Sequence, residues 1–226
     1  MPTTLVAMPG TGSDADYVRR AFGPAAAALG VTLIALDPQA SLVAGHRRCL
    51  DEIAQRSGPI LVGGVSIGAA VAVAWALDND CAGVWAALPA WSGDPVNSPA
   101  AWSASTTAAA LRTDGLEATL ASMEASSPPW LAAELGRSWR SLHPALVDQL
   151  GEAALFRAPE VTDISRLAAP LAITAATDDP VHPYEVGQAW SAAAPRAALT
   201  DVSLDEWGHD PSTLGFGCAR AWLTIR

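Results

Sequence analysis

Ser66 is the residue on which catalytic chemistry could be built in this sequence. It lies at the centre of Gly64-Val65-Ser66-Ile67-Gly68, between two evenly spaced glycines. A serine hydroxyl is a poor nucleophile at neutral pH, so a catalytic serine must be held in an exposed turn beside a base. A pentapeptide of this form occurs by chance in roughly one chain in ten of this length. Its meaning therefore depends on the elements around it and on partners elsewhere in the chain.

Asp179 is the candidate for the acid that orients a base. It follows a short apolar run and precedes Pro180, so we expect it where a strand ends and a loop begins. A carboxylate in such a place can hold an imidazole in one tautomer. The adjacent Asp178, and Asp94 after an earlier apolar run, remain alternatives for this role.

His209 is the candidate for the general base. It belongs to segment 207–210, which we predict to be the loop after the last strand, from where an imidazole could reach both Ser66 and a carboxylate. The other histidines fit less well. His46 lies on an early predicted helix and His143 in a helical stretch. His182 lies beside the candidate acid, where it could line a site but is close in sequence for the usual base.

These residues need a framework of alternating strands and helices. Short apolar runs predict strands at 3–8, 31–36, 59–65, 81–89, 170–176 and 197–204. Helical patterns lie between and after them, at about 14–29, 42–57, 67–77, 184–193 and 213–223. Strands separated by helices of this length favour a parallel sheet covered on both faces. The sequence therefore predicts an α/β fold with a mostly parallel sheet of about six strands.

The alternation stops between residues 92 and 169. Helices are predicted there around 100–112, 116–126, 130–142 and 144–155, with Pro128, Pro129 and Pro144 at their junctions. We interpret 92–169 as a helical cap inserted into a core made of 1–91 and 170–226. This cap would cover the carboxyl ends of the strands.

The sequence resembles the α/β-hydrolase superfamily over nearly its whole length. The resemblance rests on the turn at Ser66, the acid Asp179 after a strand, and the Gly-His segment at His209. Serine, aspartate and histidine also follow one another in the order typical of that superfamily. It implies an α/β-hydrolase fold in which Ser66 attacks an acyl carbon, His209 takes and returns the proton, and Asp179 holds the imidazole.

The resemblance also implies an oxyanion hole made of two backbone N–H groups. Ile67, directly after the nucleophile, supplies one by its position, and Thr11 in the loop after the first strand matches the second, with Gly12 as the alternative. Two positions depart from the pattern of many members. Pro9 stands where they carry histidine, and Val65 stands where they carry a polar or aromatic residue.

Tryptophans favour an apolar substrate. Those that we expect to line the pocket are Trp91, Trp102, Trp130, Trp139 and Trp207. The implied activity is cleavage of a small, apolar carboxylic ester through an acyl-enzyme. Thioester, lactone and carbon–carbon bond cleavage use the same triad, and a non-catalytic small-molecule binding protein of the same fold is the rival from another class.

The amino-acid composition of the chain limits the classes of partner and cofactor that we expect. A formal net charge of −10 opposes binding to a nucleic-acid backbone. We find no apolar run long enough to span a membrane and no basic start typical of a signal peptide, so a cytoplasmic location is expected. The triad needs neither a metal nor an organic cofactor, and the three cysteines lack metal-ligand spacing. The sequence leaves open whether copies of the chain form a homo-oligomer.

Overall fold

A six-stranded sheet forms the centre of the computed structural model, which describes residues 4–226. The strands are β1 (Thr4–Met8), β2 (Thr32–Ala35), β3 (Leu61–Val65), β4 (Gly83–Ala87), β5 (Leu171–Ala176) and β6 (Ala197–Val202). They lie in the order β2-β1-β3-β4-β5-β6, and every neighbouring pair is parallel. The predicted α/β fold with about six parallel strands is confirmed. Thr3, predicted as part of the first strand, lies outside the described residues.

Eleven helices are found within residues 4–226. They are α1 (Ala15–Ala28), α2 (Leu42–Ser57), α3 (Ile67–Ala76), α4 (Pro99–Thr113), α5 (Leu116–Ser126), α6 (Pro129–Leu142), α7 (Leu146–Leu155), α8 (Val161–Ile164), α9 (Tyr184–Ala193), α10 (Leu204–His209) and α11 (Ser212–Ile225). Helices α1 and α11 cover one face of the sheet, and α2, α3 and α9 cover the other. None of these helices is long and apolar enough to cross a membrane.

Strand β1 shows why the strands read as continuous apolar runs. Its Leu5 and Ala7 pack toward α1 and α11, whereas Val6 and Met8 pack toward α2 and α3. Successive side chains of a strand point to opposite faces, so a strand covered on both faces must be apolar throughout. Because all strands are parallel, the loops after β1, β3, β4, β5 and β6 meet at one edge of the sheet.

The segment between β4 and β5 holds helices α4 to α8 and no strand. It has a small apolar core of its own, formed by Ala104, Ala108, Leu111, Leu120, Trp139, Leu146 and Leu150. Helix α7 also contacts the sheet-covering helix α2, where the Glu152 carboxylate accepts the backbone N–H groups of Leu42 and Val43 at 2.7 and 2.9 Å. These charge-assisted bonds cap the first turn of α2 and attach the inserted helices to the rest of the chain.

Candidate active site

Ser66 stands at a sharp turn between β3 and α3. Its φ of 56° and ψ of −117° are strained for a residue with a side chain. A Cβ on Gly64 would lie 2.5 Å from the carbonyl carbon of Gly68, and a Cβ on Gly68 would lie 2.6 Å from the Met8 oxygen. Only glycine fits at either position, so the spacing of the pentapeptide is a steric requirement of this turn.

Ser66 lines a cavity of about 420 Å³ between the sheet edge and the inserted helices. Most of its wall is apolar or aromatic, which is typical of small-molecule sites. Four of the five predicted pocket tryptophans line it, namely Trp91, Trp130, Trp139 and Trp207. The prediction for Trp102 is wrong, because this side chain lies outside the cavity and is 71% exposed on α4.

Asp179 lines the same cavity and is paired with His182. The Asp179 side chain is only 4% exposed, and its Oδ2 lies 2.7 Å from Nδ1 of His182, whose side chain is 15% exposed. Its Oδ1 accepts the backbone N–H groups of Val181 and His182 at 2.8 and 3.3 Å. A carboxylate accepts only, so Nδ1 carries the hydrogen of this bond, and in the neutral imidazole Nε2 then has the free lone pair.

The electrostatics of Asp179 keep it ionised. Burial by itself would raise the pKa of this carboxyl group. The hydrogen bond from His182, the positive charge of a protonated His182, and the N–H groups of Val181 and His182 each lower that pKa. Their combined effect exceeds that of burial, and the pKa of Asp179 lies below its ordinary value. A charged acid therefore faces an imidazole inside the cavity.

His209 is not brought to this cavity. Its side chain is 71% exposed, its Nδ1 donates to the backbone oxygen of Asp205 at 2.9 Å, and the Asp205 carboxylate lies 3.3 Å away. It does not line the cavity that Ser66 and Asp179 share. The predicted grouping of Ser66, Asp179 and His209 is therefore not found in this structure.

The reason is that segment 207–210, predicted as a loop, begins inside helix α10. A capping box starts this helix, since Ser203 and Glu206 exchange hydrogen bonds between their side chains and backbone N–H groups. Trp207 is buried against Trp130, with ring centroids 5.0 Å apart. Because a helix turns about 100° per residue, His209 lies about 200° from Trp207 and faces solvent.

The other candidates for the acid have different roles. Asp178 accepts the backbone N–H of Leu204 at 2.6 Å and so supports the start of α10. Asp94 caps the short 3-10 turn Pro95–Asn97 by accepting the N–H of Val96 at 3.0 Å, and does not line the cavity. Neither aspartate contacts a histidine in the described part of the chain.

Two other histidines lie away from the cavity. His46 is fully buried on α2, and burial lowers the pKa of its imidazole to about 4. His143 is exposed at the end of α6. His182 is thus the histidine that lines the cavity of Ser66.

The backbone N–H groups of the two predicted oxyanion donors have no protein acceptor in the described chain. Thr11 lines the cavity, and a Cβ on the neighbouring Gly10 would lie 3.5 Å from Cβ of Ser66. Ile67 opens α3, where N–H groups have no partner within the helix. Among residues 4–226, neither the Thr11 nor the Ile67 N–H donates to a protein acceptor. Thr11 lies in the wall of the cavity, whereas Ile67 is buried and is not among the residues that line it.

Helix α6 holds the loop that carries Thr11. The hydroxyl of Ser138 donates to the backbone oxygen of Gly12 at 2.7 Å. Two residues later in this loop, Asp14 accepts from Arg137 at 2.6 and 3.0 Å. Burial favours a raised pKa for Asp14, but the bonds from Arg137 and from backbone N–H groups outweigh it and lower the pKa. These contacts fix the loop against the inserted helices.

Comparison with solved structures identifies the architecture. The chain superposes on a thermophilic esterase from Thermogutta terrifontis with a TM-score of 0.74 and 18% identity, covering 99% of this chain and 90% of the other. A hydrolase from Pseudomonas aeruginosa PA01 superposes with a TM-score of 0.72 and 17% identity, covering 99% of this chain and 89% of the other. The enol-lactonase from Burkholderia xenovorans LB400 superposes with a TM-score of 0.68 and 16% identity, covering 89% of this chain and 83% of the other. The chain has the α/β-hydrolase fold. No protein-family model and no curated protein matches its sequence.

Sequence reasoning missed the pairing of Asp179 with His182. The residue order typical of the α/β-hydrolase fold directed attention to the later histidine, His209. A local signal was nevertheless present. An aspartate followed by proline favours a turn in which its carboxylate accepts N–H groups two and three residues on. Such a turn brings the side chain at the third position back to the carboxylate, as observed for His182.

Proposed function

We propose that the chain is a serine hydrolase that cleaves small, apolar carboxylic esters through an acyl-enzyme on Ser66. One observation carries the proposal. A strained turn presents Ser66 to a cavity that also contains the Asp179–His182 pair and the free N–H of Thr11. These are the nucleophile, the oriented base and the anion site that acyl transfer requires.

In the proposed first half-reaction, the Ser66 hydroxyl oxygen attacks the acyl carbon and its proton passes to Nε2 of a histidine. We assign this role to His182 in place of His209, because the Nδ1 hydrogen bond to Asp179 leaves Nε2 of His182 as the acceptor. The negative charge of Asp179 stabilises the imidazolium that forms. The proton then goes to the leaving oxygen, and the alcohol departs.

The N–H groups of Thr11 and Ile67 would receive the carbonyl oxygen as it becomes an oxyanion. Removing one such donor in other acyl-transfer enzymes slows the reaction by about 10²–10³-fold. In the second half-reaction water attacks the acyl-enzyme, His182 takes a proton from that water, and the proton returns to Ser66 as the acid is released. Atoms balance as ester plus water giving acid plus alcohol.

The cavity supports a small apolar acyl group. A volume of about 420 Å³ lies in the range of small-molecule sites, and four indole rings line the wall. Thioesters and lactones present the same acyl carbon, and the chemistry of the site does not separate them from esters. They are therefore included in the proposed substrate class.

Labelling by a fluorophosphonate probe tests the proposal. We expect the wild type to be labelled on Ser66, as located by mass spectrometry of the labelled peptide, and Ser66→Ala to be unlabelled. Ser66→Ala should also lower kcat on a para-nitrophenyl ester by about 10⁴-fold or more. Ser126→Ala is the control, because Ser126 is an exposed serine at the end of α5. A wild type that is neither labelled nor active on esters, thioesters and lactones would favour a non-catalytic binding protein of the same fold.

A further inference from the structure

The loop between β1 and α1, residues 9–14, passes directly beside the nucleophile. Gly10, Thr11 and Ser13 line the cavity of Ser66, and a Cβ on Gly10 would lie 3.5 Å from Cβ of Ser66. The position of this loop therefore decides which backbone groups border the serine. Acyl transfer is sensitive to such placement, because a displacement of about 1 Å can slow an enzyme by about 10²-fold.

Few hydrogen bonds hold this loop. In the described chain, the backbone groups of residues 10–13 make two of them. One stays inside the loop and joins the Ser13 N–H to the Gly10 oxygen at 3.1 Å. The other comes from the inserted helices, where the hydroxyl of Ser138 on α6 donates to the Gly12 oxygen at 2.7 Å. The bond that leaves this part of the loop therefore runs to α6 and not to the sheet.

Three consecutive side chains of α6 contact the loop. Arg137 donates to the Asp14 carboxylate at 2.6 and 3.0 Å, directly before the residue that donates to Gly12. Gly12 has a φ of 76°, and a Cβ at this position would lie 2.7 Å from Nε1 of Trp139. The loop backbone thus packs against the indole ring as closely as glycine allows. Helix α6 therefore holds the loop at Gly12 and again at Asp14.

Ser138 can influence the chemistry only through this loop. The residue is fully buried and does not line the cavity of Ser66, so it does not touch a substrate there. Gly12 is buried as well. A buried carbonyl oxygen without a donor is unfavourable, so the loop would move to a new arrangement if the Ser138 hydroxyl were absent.

The other contacts of α6 do not depend on Ser138. Trp130 packs on Trp207 with ring centroids 5.0 Å apart, and Glu134 accepts from Arg20 at 2.6 Å. Five residues of the helix line the cavity, namely Trp130, Leu131, Glu134, Leu135 and Trp139. Removing the Ser138 hydroxyl should therefore release Gly12 and leave this part of the cavity wall in place.

We propose that Ser138 is a positioning residue for the reaction at Ser66, and that it acts by fixing the loop after β1 through the Gly12 oxygen. This inference rests on the proposed function, in which the N–H of Thr11, next to Gly12, receives the developing oxyanion. That interaction strengthens only as charge develops on the carbonyl oxygen, so its loss lowers kcat and leaves KM nearly unchanged. The inserted helices therefore contribute to the rate of the reaction as well as to the enclosure of the substrate.

Steady-state kinetics on a para-nitrophenyl ester test the proposal, with active enzyme counted by fluorophosphonate labelling carried to completion. We expect Ser138→Ala to lower kcat by about 10–100-fold and to change KM by less than about threefold. Ser141→Ala is the matched control, because Ser141 is an exposed serine on the same helix, and it should keep kcat within about twofold. A merely structural role of Ser138 would lower the unfolding midpoint and the labelled fraction, but not kcat per labelled site.

A trifluoromethyl ketone with a short alkyl chain gives a second readout. The Ser66 oxygen adds reversibly to its carbonyl carbon, the hydroxyl proton passes to His182, and the ketone oxygen becomes an oxyanion where that of the ester forms. The inhibition constant of Ser138→Ala should rise by about the factor by which kcat/KM falls. Affinity for the corresponding alcohol, which forms no bond to Ser66, should stay within about threefold.

Asp14→Asn changes the same loop without altering Ser138. Asparagine caps helices as well as aspartate does, so the bonds from the N–H groups of Asp16 and Tyr17 should persist. The charge-assisted pair with Arg137 is lost. We expect kcat to fall by about three- to tenfold with little change in KM. This variant decides the question if Ser138→Ala does not fold.

Three results would overturn the inference. These are a wild-type kcat in folded Ser138→Ala or, where that variant does not fold, in Asp14→Asn; a rise in KM without a fall in kcat; and an unchanged inhibition constant for the ketone. Each leaves the proposed function standing if the wild type is labelled on Ser66 and cleaves the ester. A wild type that is neither labelled nor inhibited by the ketone would instead defeat the proposed function.

Discussion

Two aspartate–histidine pairs follow neighbouring strands of the sheet and differ in almost every physical respect. The Asp179–His182 pair after β5 is nearly buried, with 2.7 Å between Oδ2 and Nδ1. The Asp205–His209 pair on α10 after β6 has side chains that are 86% and 71% exposed, with 3.3 Å between Oδ1 and Nδ1. The first pair lines the cavity of Ser66 and the second does not. The same two residue types can therefore orient a base in one loop and form a weak surface contact in the next.

The largest expected effect comes from removing each imidazole in turn. His182→Ala should lower kcat/KM for a para-nitrophenyl ester by about 10⁴-fold, because Ser66 loses its proton acceptor. His209→Ala should change it by less than about threefold, because that side chain is exposed and lies outside the cavity. Steady-state kinetics of the two variants at matched pH provide the measurement.

The reverse result would break the comparison. Large loss in His209→Ala with near-normal activity in His182→Ala would mean that α10 rearranges during turnover and brings His209 to Asp179. The base would then be the one that the residue order predicts, and Ser66 would keep its role.

A smaller loss is expected from neutralising the acids. Asp179→Asn should lower kcat by about 10³-fold, since the amide no longer stabilises an imidazolium or fixes the tautomer of His182. Asp205→Asn is the matched control on the exposed pair and should retain activity within about twofold. An Asp179→Asn enzyme with wild-type kcat would remove Asp179 from the mechanism.

The smallest effect is on stability, and it depends on pH. Asp179→Asn should lower the free energy of unfolding by about 2 kcal/mol at pH 7, because it removes a buried charge-assisted hydrogen bond. The folded-state pKa of Asp179 is depressed, so the carboxylate stabilises the fold above the ordinary value of 3.8 and this contribution is lost as the pH falls below it. Between pH 5 and pH 3 the wild type should therefore lose more stability than Asp179→Asn.

Urea unfolding of both proteins from pH 5 to pH 3 tests whether the wild type loses more stability than Asp179→Asn. A difference between wild type and Asp179→Asn that stays constant from pH 5 to pH 3 would contradict it. Asp205→Asn should differ from the wild type by less than about 1 kcal/mol throughout, as is usual for exposed ion pairs.

Much of the framework could be predicted because it depends on local patterns. The apolar strands, the helices between them and the glycine spacing around Ser66 are all properties of short segments. Helix α10 is the exception. Its capping box is also a local signal, but the prediction of a loop at 207–210 rests on the position of that segment after the last strand and on its Gly-His pair. The difference matters because the helix decides which way His209 faces.

The pocket shows the opposite case. Tryptophans 91, 130, 139 and 207 line it, whereas Trp102 is exposed on α4. Residue type alone did not distinguish these positions. Which face of an inserted helix meets the sheet edge depends on how the helices pack, and this is a long-range property.

The sequence by itself determined the strands, the helices between them and the glycine-flanked turn at Ser66, because periodicity and steric fit act between near neighbours. Only the tertiary structure decided which histidine lines the cavity of that serine. Trp207 is buried against Trp130 on another helix, and this contact turns His209 toward solvent. The turn at Asp179 brings His182 into the cavity instead. The position of a base relative to its nucleophile is fixed by contacts between distant segments, and these are not encoded in the order of residues along the chain.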